Sequence, residues 1–230
     1  MNILITGGSR GIGLAIAREL AAAGHRLLLT GRSEQSLAEA RSALGEETLV
    51  YAHDRTLGGA AEKTAAFARE RGFEPDVLIL NAASFYDATR SVVEPGAEEL
   101  ERILRANVIA NYEWTRTFAP LLEGGRYPRI ILIGSTASLR ADTSLYGISK
   151  AALRNYALGL REELKTSGIG VTLINPGGTF TERRVPGGEI GPDRLLESRD
   201  IALLTAALLT LSPQAVVEEL TVRPMLGDTF

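Results

Sequence analysis

The sequence predicts an α/β protein built on a doubly wound parallel sheet of about seven strands with helices on both faces. Short apolar runs alternate with helical patterns from end to end, a glycine-rich turn joins the first run to the first helix, and the residues with most chemical capacity fall just after the strand-like runs. A parallel sheet of this kind binds ligands at the carboxyl ends of its strands.

The first run is Ile3-Leu4-Ile5, bounded by turn residues as a buried strand would be, and Ile12, Ile16 and Leu20 then recur at helical spacing. Between them the glycines follow the spacing Gly7-x-x-x-Gly11-x-Gly13. The first N–H groups of a helix have no partner within it, and together with the positive end of its dipole they favour an anion, most naturally a nucleotide phosphate. Glycine at these positions allows positive φ, close approach of backbone to ligand and tight contact of helix with strand.

Gly24 ends that helix, 26–30 reads as the second strand, and Ser33 stands as N-cap of a helix ending near Gly45. A third strand over 48–53 and a helix over about 58–71, closed by Gly72, lead to Val77-Leu78-Ile79-Leu80, a continuous apolar run of the kind buried on both faces of a parallel sheet. Residues 97–122 form one long helical pattern, with Leu100, Ile103, Leu104 and Val108 on one side and Ile109, Tyr112 and Phe118 elsewhere, so it is expected to be covered on two sides. A strand at 130–133, a helix at 145–167 closed by Gly168, and a strand at 171–174 follow. The Gly/Pro-rich stretch 176–192 precedes a helix near 199–211 and a last short strand around 219–222. No internal repeat or linker marks a boundary, so 1–230 is expected to be a single domain with a substrate loop at about 178–198.

A net charge of -3 offers nucleic acid no basic surface, and a small-molecule partner is expected instead. With no cysteine and only His25 and His53, no metal site is expected. The strongly apolar stretch 201–211 falls short of the roughly 20 residues of a spanning helix. The strand pattern begins almost at Met1, leaving no place for a leader, and a cytoplasmic protein is expected.

Tyr146 and Lys150 open the helix after the fifth strand, four residues apart and hence on one face. A nearby ammonium favours the phenolate of a tyrosine and draws its pKa toward the range of a neutral-pH acid/base. Such a tyrosine can protonate a carbonyl oxygen as hydride arrives, or deprotonate an alcohol in reverse. Ser135, at the end of the preceding strand, can offer its hydroxyl to the same oxygen. Asn107, polar inside a long apolar helix, is placed for a hydrogen-bonding relay.

Thr6-Gly7-x-x-x-Gly11-Ile12-Gly13, Asn81-Ala82, Asn107, Ser135, Tyr146-x-x-x-Lys150 and Pro176-Gly177-x-x-x-Thr181 together resemble, in order and over essentially the whole chain, the short-chain dehydrogenase/reductase family. The resemblance implies a single Rossmann-type domain, a nicotinamide cofactor and hydride transfer between it and a carbonyl or secondary alcohol. It assigns Tyr146 as acid/base, Lys150 as the residue that lowers its pKa and holds the nicotinamide ribose, Ser135 as orienting the substrate carbonyl, and Asn107 as supporting a water-linked proton path. Asp54 resembles the acceptor for the adenine amino group, Asn81 the brace of the central strands, and Thr181 the hydroxyl near the carboxamide. Ser9, Ile12, Ala82 and Thr179 join the expected cofactor contacts.

Three departures accompany the match. Ser135 precedes Tyr146 by eleven positions, a shorter interval than is usual in the family, so Thr136 and Ser138 compete as hydroxyl donors. The family's Asn-Asn-Ala-Gly stands here as Leu80-Asn81-Ala82-Ala83. Arg55 follows Asp54 where the family usually has an apolar residue, and stacking on adenine or facing solvent are the two placements open to it.

The second strand ends Thr30-Gly31-Arg32-Ser33, with no acid to accept from the ribose 2′-hydroxyl of NAD and repel the 2′-phosphate of NADP. Arg32, aided by Arg10, predicts NADP(H), with NAD(H) as the alternative. Ser84, Phe85, Tyr86, Leu139, Arg140 and Phe180 are candidates for the substrate wall, and Arg183 and Arg184 are either partners for an acidic group or solvated loop charges. The apolar surface of the 97–122 and 145–167 helices predicts a homodimer or homotetramer. The competing functional reading is a regulatory protein that binds NADP without turnover; retention of the serine, tyrosine and lysine argues against it.

Overall fold

A computed structural model describes residues 1–85, 92–141, 144–181 and 192–228. Tyr86, Arg183 and Arg184, with the rest of 182–191 in the expected substrate loop, lie outside the described residues.

The strands are β1 (Asn2–Thr6), β2 (Arg26–Gly31), β3 (Leu49–Ala52), β4 (Val77–Leu80), β5 (Arg129–Ile133), β6 (Gly170–Pro176), β7 (Thr179–Phe180), β8 (Leu196–Glu197) and β9 (Glu219–Val222). The helices are α1 (Gly11–Ala22), α2 (Glu34–Leu44), α3 (Ala60–Glu70), α4 (Ala97–Leu104), α5 (Ala110–Leu122), α6 (Leu145–Leu164) and α7 (Ser198–Leu208). Seven strands form one parallel sheet in the order β3-β2-β1-β4-β5-β6-β9. Chain order reverses between β1 and β4, which opens a crevice at their carboxyl ends.

The apolar strand runs fill both faces of this sheet. Val77 and Ile79 join α1, α2 and α7 in one core, whereas Leu78 and Leu80 point to the other face with Trp114 and Phe118 of α5 and Leu153 of α6. Each large side chain so withdrawn from water contributes about 1.5–3 kcal/mol. Among the described residues no helix is long and apolar enough to cross a membrane.

Ser33 caps α2 as the sequence suggests, its Oγ accepting from Ser36 N at 3.2 Å. The expected single helix over 97–122 is not continuous. It is interrupted by a π-helical turn at Arg105–Ile109, where the Ala110 N–H reaches back five residues to Arg105 O. Apolar periodicity misses this, because a wide turn changes the hydrogen-bond partner and leaves the residue types unchanged. The stretch 176–192, expected to be irregular, contains β7, which pairs with β8 beyond it through Thr179–Leu196 and Phe180–Glu197, on either side of the undescribed segment.

Candidate active site

The glycine turn is tied to β2 by Gly7 N and Gly8 N, which donate to Thr30 O at 2.8 and 3.2 Å. Gly7 and Gly11 have φ of 66° and 52°; Gly13 lies in α1 with no positive φ, and close packing is what it supplies. Arg10, the N-cap of α1, is extended and gives the helix no side-chain cap, so the first amides of α1 are left for an anion. Asn81 clamps the crevice: its Nδ2 donates to Thr6 O and Gly7 O, each at 3.1 Å, while Asn81 N and Ala82 N donate to Thr6 Oγ1 at 3.1 and 3.2 Å. Thr181 stands over the other side, its methyl 3.3 Å from where a Cβ on Gly11 would lie. Backbone amides around a glycine surface with no side chain in the way fit a dinucleotide diphosphate.

At the outer end of this cradle Arg10 Nη2 donates to Ser36 Oγ, which donates in turn to Ser33 Oγ at 2.9 Å, and Ser9 Oγ is beside Gly31. Arg32 is exposed beside Asp54. Burial alone would raise the Asp54 carboxyl, but the Thr56 hydroxyl and N–H donating to its Oδ1, and the charge of Arg32, hold it below the usual carboxylate range. At the opposite end Gly177 N pairs with Val222 O at 2.7 Å, and Thr179 Oγ1 donates to Gly177 O at 3.0 Å.

α6 begins with Ser144, whose Oγ accepts from Gly147 N at 2.9 Å. This cap sets Tyr146 in the first turn and Lys150 one turn later. Lys150 is 2% exposed; its Nζ donates to Ile133 O at 2.9 Å and lies 5.6 Å from the Tyr146 ring centroid. Burial, and secondarily the charge of Arg55, pull the ammonium down to about 7. The Phe85 ring meets the Tyr146 ring edge-on at 4.9 Å, and Phe85 is itself exposed.

Two residues beyond the carbonyl that holds Lys150, Ser135 caps a 3-10 turn at Thr136–Leu139 by accepting from Ala137 N at 3.2 Å, which leaves its own proton to give. Its rivals are less well placed: Ser138 donates to Ser135 O at 2.7 Å, and Thr136 is buried. Asn107 lies in the π turn, fully buried. Its Oδ1 accepts from Ser84 N at 2.8 Å, and its Nδ2 donates to Ser84 O at 2.9 Å and Ser149 Oγ at 3.0 Å. The side chain therefore fixes Ser84, a predicted wall residue, and grips α6 beside Lys150. Leu139 is partly buried, and Phe180 is fixed through its carbonyl, which accepts from Ser198 Oγ at 2.7 Å.

Arg55 is corrected by the structure. It neither faces solvent nor is placed to stack on adenine: it is buried, with Nη1 donating to Ala82 O and Ala106 O and Nη2 to Asn111 Oδ1. Three further residues escaped the sequence reading. Ser149 sits inside the Tyr-x-x-x-Lys stretch, and Asn111 lies four residues after Asn107, so spacing pointed to both. Asn175, whose Oδ1 accepts from Ser135 N at 3.3 Å, comes close to it only through strand pairing.

Residues 1–188 match the sequence model described as short chain dehydrogenase. An uncharacterized oxidoreductase of Staphylococcus saprophyticus is 29% identical over 96% of each chain. The NADP-dependent 3-hydroxy acid dehydrogenase YdfG of Salmonella typhi is 31% identical over 77% of this chain and 72% of its own. Among solved structures, a closed form of serine dehydrogenase complexed with NADP+ superposes with a TM-score of 0.89 at 25% identity, covering 100% of this chain and 97% of that one.

Proposed function

The chain belongs to the short-chain dehydrogenase family, and from that premise we propose that it is a single-domain, NADP(H)-dependent oxidoreductase acting between a carbonyl compound and the corresponding secondary alcohol. The observation that carries this reading is Lys150. A lysine withdrawn from water, held to one backbone carbonyl and set 5.6 Å from a tyrosine ring is costly to build for packing alone.

The residues fit the cofactor. Gly7, Ser9, Gly11, Ile12 and Gly13 form the diphosphate cradle, and Arg10 and Arg32 meet the 2′-phosphate. Asp54 accepts from the adenine amino group through the oxygen that Thr56 leaves free. Asn81 and Ala82 line the middle, and Pro176, Gly177, Thr179 and Thr181 the nicotinamide end. When bound, the dinucleotide supplies or receives the hydride. In reduction the Tyr146 hydroxyl gives its proton to the substrate oxygen, and in oxidation it takes that proton back. Ser135 donates a hydrogen bond to the same oxygen. Lys150 favours the phenolate that Tyr146 becomes and holds the ribose, and Asn107 keeps the path behind Lys150 in place. Ser84, Phe85, Leu139 and Phe180 form the substrate wall.

The names of the two relatives support the cofactor and put hydroxy acids first in a substrate panel. Exposed Ile109 at the end of the π turn, Tyr112 on α5 and Ile148 on α6 support a homodimer or homotetramer. A light-scattering mass of twice or four times 24.6 kDa is expected, and a monomeric mass removes that part of the reading.

The decisive experiment is a parallel fluorescence titration with NADPH and NADH, followed by NADPH consumption against a carbonyl panel with Tyr146→Phe as control. Tighter NADPH binding, and turnover that the variant loses, are expected. Preference for NADH overturns the cofactor assignment, and undiminished turnover by the variant overturns the acid/base assignment.

A further inference from the structure

Arg55 makes connections that the reading above does not use. Because the Ala110 N–H goes to Arg105 O, the Ala106 carbonyl loses its α-helical partner, and Arg55 Nη1 meets it at 3.2 Å. The same nitrogen donates to Ala82 O in the cofactor-facing segment after β4. Nη2 donates to Asn111, whose Nδ2 passes the contact to Asn107 O at 2.7 Å. One side chain thus joins the ends of β3 and β4 to the π turn. Arg105 also ties the turn to the segment after β3, donating to Thr56 O at 2.7 Å, and pairs with Glu113 at 2.8 and 2.9 Å.

All three acceptors of the Arg55 guanidinium are uncharged, so its positive charge is not cancelled at contact. We propose that Arg55 is a positioning residue for the reaction, holding the π turn that carries Asn107 against the cofactor wall and placing a second buried cation in the surroundings of Lys150. The inference rests on the roles given to Lys150 and Asn107 under the proposed function. Its charge arm is supported by the direction in which Lys150 is pulled, after burial, by Arg55. Among the described residues, the ionisable groups that bear on Lys150 are Tyr146 from α6 and Arg55 from the segment after β3. Asp54 and Glu113 bear on Arg55, and Arg55 on His53.

The chain has three lysines, Lys63, Lys150 and Lys165, so Lys150 can be followed directly. Full-length protein labelled with 13C,15N-lysine, its signals assigned with Lys63→Arg and Lys165→Arg, is titrated by NMR without substrate. NADPH affinity is measured by fluorescence on the same samples, and circular dichroism reports folding. Arg55→Met and Arg55→Gln, two neutral variants of which either suffices, are expected to raise the Lys150 midpoint by about one pH unit. Arg55→Lys keeps the charge and loses the fork, so the midpoint stays while NADPH binding weakens about tenfold. Asn111→Ala gives the same pattern as Arg55→Lys. An unchanged midpoint in the folded neutral variants, or an equal rise in Arg55→Lys, overturns the charge arm. Wild-type NADPH affinity in Arg55→Lys and Asn111→Ala overturns the positioning arm. Failure of the wild type to bind NADPH would overturn the functional reading instead, and the Lys150 titration separates the two.

Discussion

Gly13 packs so closely against Gly7 that a Cβ on Gly13 would stand 2.2 Å from the Gly7 carbonyl oxygen and 2.5 Å from Asn81 Nδ2. The first of these atoms is backbone and cannot swing away. Gly13→Ala must therefore displace the turn that faces the dinucleotide, at a cost of about 1–3 kcal/mol. A lowered Tm and NADPH binding weakened about tenfold or more are expected from thermal melts and titration.

Lys150 gives the fold a pH dependence of known sign. Burial first, and Arg55 second, lower its pKa from 10.5 to about 7. Across that window the unfolded chain keeps a proton that the folded chain has released. Stability therefore rises with pH there, by up to about 1.4 kcal/mol per pH unit from this group, and is lower below pH 7. Urea unfolding across the window checks the slope, and Lys150→Met is expected to flatten it.

Three hydroxyls lie near the end of β5, and their hydrogen bonds separate them. Ser138 spends its proton on Ser135 O and Thr136 is buried, whereas Ser135 accepts from Ala137 N and keeps its proton. Ser135→Ala is expected to lower kcat by about 10²–10³-fold. Ser138→Ala is expected to stay near wild type, so equal losses in the two variants would refute the assignment.

Arg10 is held by Ser36 at the edge of the glycine turn. Ser36→Ala should release it, and Arg10→Ala should remove the charge. Each is expected to weaken NADPH with NADH binding little changed, because only NADPH carries the 2′-phosphate. Arg32→Asp is expected to move preference toward NADH. Parallel titrations measure all three, and an equal loss for both cofactors would show a general distortion of the turn.

The order of strands and helices was readable because β1, β4 and β5 are short apolar runs and glycines punctuate the helices. The glycine turn, Ser33, Tyr146 and Lys150 are legible in the same way: the pattern that marks each one is written within a few positions of it. What escaped the sequence depends on the third dimension. Arg55 looked like a surface or ligand-facing charge because nothing near it in sequence reveals that Ala106 has lost a helix partner. Asn175 reaches Ser135 only because β5 and β6 pair in register. The π turn itself replaces a hydrogen bond and leaves residue periodicity almost intact.

That turn also makes chain length at one point a determinant of function. Each residue of an α-helix turns the next by about 100°, so the wide turn at Arg105–Ile109 offsets the faces of α4 and α5 by one residue. Deleting a single residue there would let an unbroken helix form and return the Ala106 carbonyl to a backbone partner. The same deletion would dismiss Arg55 from its place and rotate Asn107 out of phase with Ser84 and Ser149. The helix would gain regularity and the site would lose its alignment, so a variant with better local hydrogen bonding is expected to be the poorer enzyme.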